Sequence, residues 1–203
     1  MRKVTYGGAC SLDGFIAGPN DAIDWLYMSP DVSEIMAAYF KDVDTMLMGR
    51  KTWEFAQKMG GGGGGGPSGI HSYVFSRTLP GIDAPGVTLV REDVGAFVRD
   101  LKKQKGKDIC VMGGGELAQS LFEADLIDEV GFNIHPVLLG AGVPAFRDPR
   151  HRVKLELTEC RQLKGGCVLV HYRVRHARAG KGRVHDFSVH GDRMQRGANS
   201  RRP

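Results

Sequence analysis

Twice in this chain an apolar run of strand length ends at glycine, and a helix-compatible stretch begins without an intervening loop. Thr45-Met46-Leu47-Met48-Gly49 runs into Arg50-Lys51-Thr52-Trp53, and Cys110-Val111-Met112 runs through Gly113-Gly114-Gly115 into Glu116-Leu117. A strand that feeds a helix directly must fold back over its own sheet, so the next strand tends to lie parallel to the first. The same alternation recurs along the sequence. Strands are predicted over 4–10, 45–48, 72–75, 87–90, 108–112 and 129–135. Helices are predicted after Ser29-Pro30-Asp31, where a hydroxyl, a proline and an acid form a start signal, and over 51–59, after Asp93, and over 116–122. Two last strands, 153–160 and 167–174, read as an antiparallel pair joined through Lys164-Gly165-Gly166. The expected class is α/β: a mixed, mostly parallel twisted sheet flanked by helices, with an antiparallel C-terminal edge.

The 203 residues suit one domain with an appendage, and 41% hydrophobic against 25% charged residues allow an ordinary core. No apolar run approaches the roughly 20 residues of a membrane span. Met1-Arg2-Lys3-Val4-Thr5-Tyr6 carries no secretory apolar stretch, so a cytoplasmic protein with no membrane partner is expected. Cys10, Cys110, Cys160 and Cys167 form no C-x-x-C pair and read as buried free thiols. His71 and His135 have no neighbours at ligand spacing, and no H-x-E with P-C-x-x-C is present, so neither a metal nor a zinc deaminase site is expected.

The net charge of +5 belongs to the end of the chain. Residues 175–203 hold eight Lys/Arg against two Asp/Glu, which leaves residues 1–174 at about −1. The expected division is a domain over 1–174 and a basic, disordered tail over 175–203. A near-neutral body argues against nucleic-acid binding by the fold itself, leaving the tail as the only place for it. Seven glycines, Gly60 to Gly66, predict a flexible surface loop.

Three strand ends carry chemistry. At Gly49 the helix that follows aims free backbone N–H groups at the junction, and Arg50, Lys51 and Thr52 add two cations and a hydroxyl, a set suited to a phosphorylated ligand. At Val74-Phe75-Ser76-Arg77 a strand again ends in a hydroxyl and a guanidinium. At Gly113-Gly114-Gly115 the backbone is free to approach a pyrophosphate. Gly113, Gly115 and Ala118 also satisfy G-x-G-x-x-A. That motif comes late in the chain, however, and Asp128 and Glu129 begin the next strand instead of ending it, which argues against a doubly wound dinucleotide fold.

In order and spacing, these three segments resemble the dihydrofolate reductase superfamily. Ala9 through Ile16, with Ser11-Leu12-Asp13-Gly14, resembles its first strand and mobile loop, and Trp25 resembles the Trp at that loop's far end. Pro136-Val137-Leu138-Leu139-Gly140-Ala141-Gly142-Val143-Pro144 is more specific. It resembles the reductase domain of riboflavin-biosynthesis deaminase-reductases and their stand-alone relatives. The resemblance spans about residues 3–174. It implies NADPH as cofactor, held by Gly49, Arg50, Lys51, Thr52, Ser76 and Arg77 on the adenosine side. Gly113, Gly114, Gly115, Glu116 and Leu117 would line the pyrophosphate, and Ala9 and Ile16 would border the nicotinamide. It also implies a cis bond between Gly113 and Gly114.

On the substrate side Asp31 is the candidate catalytic carboxylate, although it lies one residue further from Trp25 than the corresponding acid of folate reductases; the alternative reading of Asp31 is a helix-start acid. The folate-binding Arg expected before the strand at Ser72 is missing, so weak folate reduction is expected. The best-matched substrate is a small molecule of the ribosylamino-pyrimidine type, with a pterin second. A non-catalytic ligand- or nucleic-acid-binding relative is the alternative of another class. Relatives suggest a homodimer.

Overall fold

The computed structural model describes residues 1–60, 69–147 and 152–176. The polyglycine run beyond Gly60 and the tail beyond His176 fall outside these residues. The described part contains β1 (Val4–Ser11), β2 (Phe15–Ala17), α1 (Pro30–Lys41), β3 (Val43–Gly49), α2 (Arg50–Lys58), β4 (His71–Phe75), β5 (Val87–Val90), α3 (Val94–Lys103), β6 (Asp108–Met112), α4 (Gly115–Glu123), β7 (Glu129–His135), β8 (Val143–Pro144), β9 (Lys154–Gln162) and β10 (Val168–Arg175). No helix among these residues is long and apolar enough to cross a membrane.

The main sheet has the order β5-β4-β3-β6-β1-β7-β10-β9. Its first six strands are mutually parallel, and β10 and β9 are antiparallel additions. The α/β class and the antiparallel C-terminal edge expected from sequence are both present. The chain moves along the sheet in one direction from β1 to β3 and from β3 to β4. It moves in the other from β5 to β6 and from β6 to β7. Right-handed crossovers then put α1 and α2 on one face and α3 and α4 on the other. Alternation along single strands agrees: Leu47 of β3 packs with Val98, Leu101 and Leu121, whereas Met46 and Met48 pack with Trp53 and Phe40.

Side-chain capping marks one of the four helix starts among the described residues. Asp93 caps α3, its side chain accepting from the Ala96 backbone N–H at 2.8 Å. Ser29 occupies the N-cap of α1, but its hydroxyl bonds Asp31 and not the helix backbone. One expectation is corrected. Cys160 is exposed, because it lies on the outermost strand, whose residues are nearly all solvent-facing; Cys10, Cys110 and Cys167 are buried.

Candidate functional site

Three strand ends finish level with one another. Met48 pairs with both Val74 and Met112, and Gly49 pairs with Phe75. The residues that follow, Arg50 and Lys51, Ser76 and Arg77, and Gly113 to Gly115, therefore emerge together at the carboxyl edge of the sheet. The chain leaves β3 toward β4 and leaves β6 toward β7, in opposite directions. Such a divergence opens a crevice at the carboxyl ends of the strands.

The β3–α2 junction leaves its helix uncapped by any side chain. Gly49 is the N-cap residue in an extended conformation (φ −83°, ψ 166°) that any residue adopts, and a Cβ added there meets nothing within 4 Å. Arg50 reaches Glu54 with one nitrogen, 2.8 and 2.9 Å from its two carboxylate oxygens. Lys51 is exposed and has no ion-pair partner among the described residues. Thr52 turns inward beneath the next junction.

At the β6–α4 junction the three glycines have different reasons to be glycine. Gly113 has φ +93°, and a Cβ on it would lie 2.0 Å from the Thr52 hydroxyl oxygen. Gly115 opens α4 against a neighbouring segment, with a Cβ 3.0 Å from the Ala145 carbonyl. Gly114, the N-cap, is extended (φ −64°, ψ 150°) and faces open space. Neither backbone conformation nor packing demands glycine at 114. The expected cis bond is corrected: no described peptide bond is cis, and the left-handed Gly113 makes the turn instead. Glu116 pairs with Arg147 at 2.8 Å, and the Leu117 side chain is buried in the core. These two thus contribute backbone N–H groups, not side chains, to the junction.

At the end of β4, Ser76 Oγ accepts from the backbone N–H groups of Thr78 and Leu79 at 3.2 and 3.1 Å, closing a turn. Arg77 is exposed, and its side chain has no ion-pair partner among the described residues.

Beside these junctions the sheet splits. β1 pairs with β6 only over Val4 to Tyr6, then continues to Ser11 against β7 alone. Tyr6 spans the start of the gap, its hydroxyl donating to Gly113 O (3.3 Å) and Ala145 O. Gly8 is exposed within this central strand, and Ala9 follows it half-buried. Ile16 lies on β2, which pairs with β8. The intervening loop is held by Asp13, which accepts from Leu139 N at 3.1 Å and Gly140 N at 2.8 Å. The Ser11 hydroxyl and these N–H groups hold its carboxyl below the usual range. The two segments singled out in sequence, 9–16 and 136–144, are thereby joined.

Asp31 sits on the α1 side of the sheet. It accepts from Ser29 Oγ, Val32 N (3.1 Å) and Lys164 N (2.9 Å). The Ser29 hydroxyl first, then the backbone N–H of Lys164, lowers its pKa. This is an ionised anchor for the β9–β10 turn, and its environment does not favour holding a proton. Two buried polar residues of β7 lie on this same side: Asn133, which sequence reasoning passed over, and His135, which it weighed only as a metal ligand. The signal was a polar pair spaced two apart, hence on one face, in an otherwise apolar strand.

Gathered at one edge are two helix N-termini without side-chain caps, two cations with no ion-pair partner among the described residues, and glycines open to a ligand. This arrangement is able to bind an extended anion. A split in the sheet between β1 and β6 lies beside it. A family model described as "RibD C-terminal domain" matches residues 2–169. The uncharacterised protein YyaP of Bacillus subtilis (strain 168) is 34% identical over 181 residues, covering 85% of this chain and 95% of YyaP. A protein from Shewanella sp. PV-4 assigned to riboflavin biosynthesis superposes with a TM-score of 0.74 at 25% identity, over 87% of this chain and all of that one. Dihydrofolate reductase from Enterococcus faecalis, solved with NADP(H), shares the fold at a TM-score of 0.62 and 15% identity, over 86% and 97% of the two chains. The chain has a dihydrofolate-reductase-like fold and belongs to the RibD C-terminal domain family.

Proposed function

We propose that this chain is a cytoplasmic NADPH-dependent reductase that passes hydride to a C=N or C=O of a small heterocycle, with a ribosylamino-pyrimidine as the preferred class. One observation carries the reading. β1 and β6 part beyond Tyr6, next to a capping glycine, Gly114, whose missing side chain neither the fold nor the packing explains. Close approach of a ligand backbone explains it. The residues fit a dinucleotide phosphate. The N–H groups at the start of α4 face the pyrophosphate across Gly113, Gly114 and Gly115, with Glu116 and Leu117 contributing main chain. Gly49 and Thr52 border the adenosine side.

Lys51 and Arg77, which have no ion-pair partners among the described residues, and Arg50, shared with Glu54, supply the cations that a 2′-phosphate needs. Ser76 holds the turn that presents Arg77. Ala9 and Ile16 flank the split where the nicotinamide enters. Bound NADPH supplies the hydride. The chain's work is to hold donor and acceptor face to face and to exclude bulk water. Asp31, kept ionised, orders a polar group of the acceptor; the proton that completes the reduction of the C=N or C=O comes from a water molecule admitted at the acceptor.

The test is loss of NADPH absorbance with a panel of ribosylamino-pyrimidines, pterins and simple carbonyl compounds. Turnover confined to the pyrimidine class is expected. Efficient turnover of dihydrofolate would overturn the substrate assignment, and no turnover of any member would overturn the reductase reading.

A further inference from the structure

Asn133 is buried, and its side-chain oxygen has no hydrogen-bond partner among the described residues. Its amide nitrogen lies 3.1 Å from His135 Nε2. Oxygen and nitrogen of a side-chain amide are isosteric, so the partners decide which is which. The other ring nitrogen of His135 settles it. The Tyr27 backbone N–H donates to His135 Nδ1 at 3.4 Å, and the Cys167 sulfur lies 3.5 Å from the same atom. A backbone amide only donates. Burial raises the thiol pKa, so Cys167 keeps its proton and is a donor as well. Burial also lowers the His135 pKa, which favours the neutral ring. A neutral imidazole that accepts at Nδ1 carries its proton on Nε2. That N–H needs an acceptor, and the Asn133 amide must present its oxygen there. The NH₂ group then occupies the position with no partner.

This unmatched donor lies on the α1 face of the sheet, where the reductase reading puts the substrate. Asn133 pairs across the sheet with Ala9 of β1 and with Leu169 of β10, and Leu169 packs with Val32 of α1. Trp25 meets the edge of His135, with ring centroids 5.3 Å apart. A buried donor without an acceptor is an unusual feature of a folded protein, and it is readily explained where a ligand brings the acceptor.

We infer that Asn133, its amide oriented by His135, is a specificity-determining residue that donates a hydrogen bond to a ring carbonyl or ring nitrogen of the substrate heterocycle. The inference rests on the reductase reading for the identity of that ligand. Residue 133 in this role separates carbonyl-bearing heterocycles from analogues that lack the acceptor, because only the former satisfy the amide.

The probes are 6-aminouracil and the corresponding aminopyrimidine without ring carbonyls, titrated against tryptophan fluorescence in the wild type, in Asn133→Asp and in Asn133→Ser. NADPH affinity and Tm are measured alongside. The wild type is expected to bind the uracil at least about tenfold more tightly than its carbonyl-free analogue, on the scale of a single hydrogen bond to a buried group. Asn133→Asp, which still accepts from His135 but no longer donates, is expected to lose that discrimination while keeping NADPH affinity. Equal binding of the two probes by the wild type, or binding of neither, overturns the inference whether or not a variant folds. Discrimination kept by Asn133→Asp overturns it too; Asn133→Ser, whose hydroxyl still donates, is expected to keep part of it. A wild type that discriminates between the probes but ignores NADPH contradicts the reductase reading alone.

Discussion

The two edges of the sheet use similar polar residues in opposite ways. At the amino edge the buried charges, Arg2 and Lys102, are matched. Arg2 bonds Asp44, Thr45 Oγ1 and the Lys107 carbonyl, and Asp44 also accepts from Lys107 N. Lys102 Nζ meets Asp128 at 2.5 Å and the Leu126 carbonyl at 3.1 Å, and Asp128 also accepts from Val4 N. These pairs tie the start of β1 to β3 and to the residue before β6, and tie β1 and α3 to the loop before β7. At the carboxyl edge Lys51 and Arg77 are without ion-pair partners among the described residues, and Gly49 and Gly114 face open space. A polar group buried for stability has its partners within the chain; one kept for a ligand does not. Satisfaction of polar groups, more than residue type, separates framework from site.

The comparison breaks first at the amino edge. Asp128→Ala leaves the buried Lys102 ammonium and the Val4 N–H without their carboxylate, and we expect a loss of about 3 kcal/mol in urea unfolding, with NADPH affinity unchanged. A loss below about 1 kcal/mol would mean that this edge is not framework.

Within the glycine triplet the two kinds of position are adjacent. Gly113→Ala forces a left-handed backbone on a residue with a Cβ and drives it into Thr52, so a loss of about 2–3 kcal/mol in stability is expected. Gly114→Ala meets no atom of the protein. It costs no more than about 1 kcal/mol as a poorer N-cap, yet lowers NADPH affinity at least tenfold. Similar stability losses in the two variants, with unchanged NADPH affinity in Gly114→Ala, would remove the distinction between them.

The unpaired cations sharpen the contrast. Lys51→Ala and Arg77→Ala are each expected to weaken NADPH by about 1.5–3 kcal/mol, roughly 10- to 150-fold, and to change stability by less than about 0.5 kcal/mol. NADH binding should hardly change. The smallest effect is expected from the tail. Truncation after His176 keeps all of β10 and the His176–Asp125 contact at 2.6 Å, and should leave both Tm and NADPH affinity as they were. A large fall in either would place the tail in the folded body.

The sheet was legible because its strands are short apolar runs, each punctuated by glycine or a capping residue. Strands β5, β6 and β7 fall on the predicted bounds, and α2 and α4 begin one residue early, at Arg50 and Gly115. The level alignment of Gly49, Ser76 and Gly113 was implicit in three similar strand ends. What local sequence does not encode is register and partnership. The exposure of Cys160 depends on β9 being outermost. The anchoring of Asp31 by Lys164 joins residues 133 positions apart. Asn133 and His135 looked like strand residues until pairing set Asn133 beside Ala9 and His135 beside Ser11.

The central claim is that the carboxyl edge is a cradle for a phosphorylated nicotinamide dinucleotide. Titration of the wild-type chain with NADPH and with NADH, followed by intrinsic fluorescence, tests it most directly. Saturable binding of NADPH at least about tenfold tighter than NADH is the result expected from two unpaired cations meeting a 2′-phosphate. Equal affinity for the two, or no binding of either, would contradict it.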